Sequence, residues 1–270
     1  MMGPEEAALV IVSEFGLSVR EPVVISDSNN VVLWLRPAPL VAKVGTRLHS
    51  RLALEMDVAK HLKVRGAPIV SPADELPQEV HRVGDVEVTF WEYEPADEQE
   101  PNPDDVAGAL FGLHKALRDY PNPLPSFQDE LSYVAELLAD EGRLEMLPED
   151  DRLLLMLAEH RFRAELARCD VKERPLHGAP HSGNMLRVGG EVLFIDFETS
   201  CVGPLEWDLA HVSDEVVNAY PESVDRSILA VCRALVSVKT AALCWARFEH
   251  PKLRWHAKLH LGVVKELVSS

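Results

Sequence analysis

Two textures of apolar spacing divide the chain. In the first, apolar residues come in short runs of strand length, Pro22–Ser26, Val31–Arg36, Leu40–Val44 and Val86–Trp91, bounded by Asp, Asn, Pro and Gly. One stretch, about His49–Val64, breaks this rhythm and predicts a helix. Its positions Leu48, Leu52, Glu55, Ala59 and Leu62 follow alternating spacings of four and three, so a glutamate falls inside the apolar stripe. Beyond an acidic, proline-rich junction, Glu94-Pro95-Ala96-Asp97-Glu98-Gln99-Glu100-Pro101-Asn102-Pro103, the spacing turns helical. Helices are predicted over Asp104–Arg118, Ser126–Ala139, Asp150–Cys169, Trp207–Val217, Val224–Trp245 and Trp255–Val268. The exception is a hairpin, Met185–Val188 and Glu191–Phe197, around the turn signal Gly189-Gly190. The expected fold class is α+β: a β-rich lobe with one main helix over residues 1–95, and a helical lobe carrying the hairpin over 96–270.

Composition narrows the setting. With 270 residues and 47% apolar residues, the chain can bury a sizeable core. No uninterrupted apolar run of about eighteen residues occurs, and the start lacks the basic-then-apolar pattern of a secretory signal. We therefore expect a soluble, cytoplasmic protein without membrane association. The cysteines Cys169, Cys201, Cys232 and Cys244 are widely spaced, which fits reduced, buried thiols better than zinc or disulfides. A net charge of −17 argues against nucleic-acid binding and fits either a cationic ligand or a solubilising surface.

The hairpin carries the first candidate chemistry. A tight turn at Gly189-Gly190 brings Asn184 alongside residues 195 and 196, roughly 5 Å across the strands. A two-residue loop pairs 184 with 195, whereas a bulged three-residue loop pairs 184 with Asp196 directly. A carboxamide oxygen beside a carboxylate suits magnesium, which takes few protein ligands and completes its shell with water and phosphate.

A second pair comes from the first half. Leu40-Val41-Ala42-Lys43-Val44 is an apolar strand holding one lysine, and Glu55 lies in the apolar stripe of the following helix. Burying either charge alone costs several kcal/mol, on the order given for unpaired ions. Each is therefore the other's natural partner.

Leu176-His177-Gly178-Ala179-Pro180-His181-Ser182-Gly183-Asn184, followed by Ile195-Asp196-Phe197, resembles the H-G-D-x-H-x-x-N and I-D-F motifs of the aminoglycoside phosphotransferase and choline kinase family. Gly203-Pro204-Leu205-Glu206-Trp207-Asp208-Leu209-Ala210 is similar to that family's G-P-x-E-W-D-L-A segment. The resemblance implies a bilobal, protein-kinase-like fold and an ATP- and Mg2+-dependent phosphotransferase acting on a small hydroxylated molecule, with GTP an alternative to ATP. It assigns Asn184 and Asp196 to the metal, and Lys43 and Glu55 to the nucleotide phosphates. It assigns the main chain of Trp91, Glu92 and Tyr93 to adenine, and support of the catalytic loop to His177 and Asp208. Ser26-Asp27-Ser28-Asn29-Asn30 occupies the place of a phosphate-covering loop, without the usual glycines. His181 stands where a donor to the transferred phosphoryl group, or a general base, is expected.

One position departs from the pattern. The family's catalytic aspartate is Ala179 here, which can neither orient a hydroxyl nor accept its proton. Three readings follow: an active kinase in which His181, Glu198 or the substrate takes that role; a catalytically impaired nucleotide- or ligand-binding relative; or an Asp-to-Ala variant of an active enzyme, made to trap substrate. A smaller alternative makes His177 and His181, four apart, zinc ligands on one helical face, against which Gly178, Pro180 and Gly183 argue. For the substrate, Asp214, Glu215, Glu222 and Asp225 could favour a cationic aminoglycoside or amino alcohol, or be solvated faces.

Overall fold

The computed structural model of the chain describes residues 3–27, 30–46 and 50–269. Ser28 and Asn29 of the expected phosphate-covering loop, and Leu48 and His49 at the start of the expected stripe, lie outside the described residues. By their contacts the residues form two compact units: Met1–Asn122 with Ala179–Ser200 and Ala219–Pro221, and Pro123–Gly178 with Cys201–Asn218 and Glu222–Ser270.

The first unit is built on an antiparallel sheet of β1 (Glu21–Asp27), β2 (Val31–Arg36), β3 (Leu40–Thr46), β4 (His81–Val83) and β5 (Val86–Glu92), in the order β1-β2-β3-β5-β4. The apolar runs become strands because Leu33, Leu35, Leu40, Ala42, Val88 and Phe90 turn to a shared core. Helix α1 (Pro4–Glu14) covers that core with Ala7, Ala8, Ile11 and Val12. This helix is not among those expected from apolar spacing. Its run Ala7-Ala8-Leu9-Val10-Ile11-Val12 is apolar throughout and carries no period, although Pro4 at the helix start and the acidic Glu5 and Glu6 are start signals.

Helix α2 (Leu52–Val64) follows β3 and buries Leu52, Glu55, Met56, Val58, Ala59 and Leu62. Residues 93–102 form no regular structure, and α3 (Pro103–Leu117) follows with Asn102 as its cap. By their contacts both α3 and the hairpin belong to this first unit. The hairpin strands, here β7 (Met185–Val188) and β8 (Glu191–Phe194), pair Val188 with Glu191 and Met185 with Phe194, so the loop is two residues long. Gly189 and Gly190 adopt φ of 57° and 90°, the positive values a primed turn requires. The turn is clamped by the irregular segment, since Asp97 accepts from the Gly189 and Gly190 amides (3.2 and 3.0 Å) and donates its own N–H to the Arg187 carbonyl.

The second unit is mainly helical. Helices α4 (Phe127–Ala139), α5 (Glu149–Leu166), α8 (Arg226–Trp245) and α9 (Pro251–Ser269) enclose a core that includes Phe127, Leu131, Leu155, Trp207, Leu235 and Ala241. A short ladder of β6 (Glu173–Leu176) and β9 (Cys201–Pro204) joins them, pairing Leu176 with Cys201. One expectation is corrected. The helix expected over Trp207–Val217 is broken into α6 (Leu205–Leu209) and α7 (Asp214–Ala219), because Ser213 accepts the Val216 amide and starts a new helix. Helix α8 is long and apolar enough by composition to cross a membrane, with a mean hydropathy of 1.7 over an eighteen-residue window, although Arg226, Arg233 and Lys239 interrupt its apolar run. Within the second unit 72% of that window is buried, and a helix packed on nearly all sides is apolar all round for that reason.

Candidate functional site

The Lys43 ammonium is the centre of the site. It lies on β3 with its side chain 10% exposed, and its Nζ stands 2.9 Å from Glu55, 2.9 Å from Asp196 and 2.7 Å from Glu198. These carboxylates come from α2, the end of the hairpin and the turn that follows it, so segments distant in sequence converge on one cation. Both Glu55 oxygens lie 2.9 Å from Nζ, and Oε1 is the one aligned for a hydrogen bond. Oε1 also accepts the Phe197 amide at 3.2 Å, tying α2 to the turn after Asp196. Burial works to lower the Lys43 pKa, but Glu55, Asp196 and Glu198 together outweigh it and hold the ammonium charged, above its ordinary value. The Glu55 carboxyl is pushed above the usual range, first by burial and then by its acidic neighbours, with Lys43 pulling the other way.

The hairpin takes the tighter of its two possible registers. The Ile195 amide donates to the Asn184 carbonyl at 3.1 Å, so residue 184 opposes 195. Asp196 then leaves the ladder with φ of 67°, the one positive φ at a non-glycine among the described residues. That left-handed step costs on the order of 1 kcal/mol and redirects the chain into a single turn at Phe197–Thr199. The Asp196 side chain stays 42% exposed while it reaches Lys43, so a solvent-borne ligand can approach it.

Asn184 is buried, and its Nδ2 donates to the Ala179 carbonyl at 3.0 Å. That bond fixes which way the amide faces and leaves Oδ1 as its acceptor. The His181 amide donates to the same Ala179 carbonyl at 2.9 Å. His181 is exposed, and its Nδ1 accepts the Gly183 amide at 3.1 Å, which leaves the ring proton on Nε2. Ala179 itself is buried. The oxygen donors of Asn184 and Asp196 fit a hard divalent cation. Glu55, Asp196 and Glu198 have oxygens within 4.8 Å of one another, but Lys43 sits among them as their counter-ion.

In the second unit, Asp208 of α6 is fully buried and accepts two backbone amides, His177 at 2.9 Å and Gly178 at 2.8 Å. His177 is fully buried. Residues 177–181 are not helical, which removes the spacing argument for a His177–His181 zinc pair. Along residues 91–93, Trp91 is buried with its indole N–H on Thr89, the Glu92 amide donates to Ser71, and the Tyr93 amide donates to Pro39. The Tyr93 ring stacks on Trp34 at 3.9 Å.

Of the acidic residues read as either drawing a cationic substrate or forming solvated faces, Asp214 pairs with Arg233, Glu222 with Arg174, and Asp225 caps α8. The part played by Glu198 is open in the sequence, and nothing in it marks Asn30 as a partner. Glu198 accepts from the Asn30 side chain and lies 3.4 Å from the Arg51 amide. The only local signal for Glu198 was its position two residues after Asp196.

A search of curated proteins finds no match for the chain. Among solved structures, it is similar to an amicoumacin kinase, hAmiN, in complex with AMP-PNP, Ca2+ and Ami (TM-score 0.70, 13% identity, 96% of this chain and 93% of that one). It is also similar to a choline/ethanolamine kinase family protein from Mesorhizobium loti (TM-score 0.69, 19% identity, 100% and 96%). A third is the GDP complex of aminoglycoside 2'-phosphotransferase-IIIa (TM-score 0.70, 13% identity, 98% and 99%). At such identities these likenesses establish a kinase-like fold. The model of the "Phosphotransferase enzyme family" matches residues 24–236, a span running from the first strand of the sheet through Lys43, Ala179, Asn184 and Asp196 into α8. With that match over most of its length, the chain belongs to the phosphotransferase enzyme family.

Proposed function

We propose that the chain binds ATP, or GTP, with magnesium and transfers a phosphoryl group to a hydroxyl of a small molecule, at a rate held down by Ala179. The observation that carries this reading is the charged, buried Lys43 on β3, held by Glu55 of α2 and reached by Asp196 at the hairpin end. A purely structural ion pair needs one carboxylate. A lysine kept charged and poised beside a half-exposed aspartate suits a site that receives phosphate and a cation.

In this reading Lys43 contacts the nucleotide phosphates and Glu55 holds its ammonium in place. Asn184 Oδ1 and the Asp196 carboxylate hold the divalent ion, which supplies neutralisation of phosphate charge. His181, with its proton on Nε2, serves as a donor to the transferred phosphoryl group rather than as the base. His177 and Asp208 brace the backbone that leads into Ala179. The adenine is read by main-chain groups of the Trp91-Glu92-Tyr93 stretch other than the Glu92 and Tyr93 amides, which are already engaged. A cationic aminoglycoside or amino alcohol fits the net charge of −17, but the local partners of Asp214, Glu222 and Asp225 weaken their candidacy as its binders.

Ala179 favours a second reading, a nucleotide-binding relative with impaired catalysis, because no carboxylate stands at the position that orients the acceptor. Radiolabelled ATP with a panel of aminoglycosides, amino alcohols and neutral polyols tests both. Turnover that disappears in Lys43→Ala and Asp196→Ala supports the enzyme, and turnover indifferent to both substitutions would sink it. A melting temperature raised by ATP with magnesium, without turnover, selects the second reading.

A further inference from the structure

Glu198 occupies Lys43 in a way the proposed function does not use. Its carboxylate is 2.7 Å from the Lys43 ammonium, closer than either Glu55 or Asp196, and its side chain is mostly buried. Asn30, where the chain re-enters the sheet at β2, donates to the same carboxylate, and the Arg51 amide before α2 lies near its other oxygen. The sequence makes room for this contact. A Cβ at Gly45 would lie 2.5 Å from Asn30 Oδ1, so glycine there leaves the Asn30 side chain the place it takes beside β3.

The carboxylate thus engages a lysine ammonium, a side-chain amide and a backbone amide. Such donors, gathered from the β1–β2 loop, β3 and the start of α2, are those a phosphate group would take. With Glu55, Asp196 and Glu198 gathered on one ammonium, the cluster has no positive charge to offer a bare polyphosphate.

We propose that Glu198 is a built-in competitor of phosphate, an internal anion that occupies Lys43 and Asn30 until an incoming polyphosphate displaces it. The inference rests on the nucleotide reading of the site and adds to it a residue that sets how strongly bare polyphosphate is refused. Glu198→Gln keeps the side-chain shape and removes the charge.

Inorganic tripolyphosphate, titrated calorimetrically in EDTA, is the probe. Glu198→Gln should bind it at least tenfold more tightly than the original chain, and the double variant Lys43→Met/Glu198→Gln should lose the gain. Equal affinity in the original chain and Glu198→Gln overturns the proposal, as does a gain that survives loss of Lys43. Glu198→Ala, checked by its thermal melt, gives the same comparison should the glutamine variant fail to fold. ATP with magnesium on the unsubstituted chain reports separately on the nucleotide reading. No binding there, with tripolyphosphate gained in Glu198→Gln, would end that reading and leave the competitor role standing.

Discussion

The side chain of Asn184 donates to the carbonyl oxygen of Ala179 at 3.0 Å. This bond uses the backbone of residue 179 and needs nothing from its side chain, so it can form with alanine or aspartate there. Ala179→Asp should therefore fold and supply the missing acceptor carboxylate. We expect ATP-dependent phosphorylation of the acceptor to rise by about 100-fold or more, within the usual range for a positioned acid or base. Single-turnover kinetics with radiolabelled ATP measure it; an unchanged rate would show that the chemistry does not need this group.

Lys43→Met removes the counter-ion shared by Glu55, Asp196 and Glu198. Leaving a buried carboxylate without its cation costs about 3–5 kcal/mol. Urea denaturation should show that loss, and millimolar magnesium or calcium should recover part of it, because the clustered carboxylates then accept a metal in place of the ammonium. No recovery with either ion would count against the oxygen cluster as a latent cation site.

Asp208→Asn tests the anchor of the second unit. Asp208 presents an acceptor oxygen to each of two buried amides, and asparagine must turn an NH2 group toward one of them. A buried donor left facing a donor costs roughly 1–3 kcal/mol. The free energy of unfolding should fall by that amount, which lowers the urea midpoint at an unchanged slope.

Acid sensitivity should be traceable to His260 on α9. Burial, then the charge of neighbouring His256, lowers its pKa, and its Nδ1 has no hydrogen-bond partner among the described residues. A histidine whose folded pKa is depressed takes up protons more readily when unfolded. It contributes stability above the unfolded value of about 6.5 and loses it as pH falls through the folded value. The drop in melting temperature between pH 8 and pH 5.5 should be smaller in His260→Gln; an identical drop would place the sensitivity elsewhere.

Asp97→Ala should loosen the hairpin without unfolding the chain. It removes the acceptor of the Gly189 and Gly190 amides. Hydrogen exchange at those two amides should accelerate while exchange in α8 stays as it was.

Local spacing by itself determined much of this protein. The strands of the sheet, the stripe that carries Glu55, the Gly189-Gly190 turn and the long helices of the second unit follow from residues that are neighbours in the chain. Physics acts on such patterns directly, through periodicity, turn conformers and the cost of an unpaired charge, which is why Lys43 and Glu55 could be matched before any fold was drawn. Only the tertiary structure decided the rest. The register at Asn184–Ile195 and the left-handed step at Asp196 were left open by local pattern, and the capture of Asp97 by the hairpin turn and α1 on the sheet depend on packing between segments far apart in sequence. The meeting of Asn30, Lys43 and Glu198 is of the same kind. Their contact arises where α2 and the turn after Asp196 pack together, and no local signal can encode a distance between residues 30 and 198.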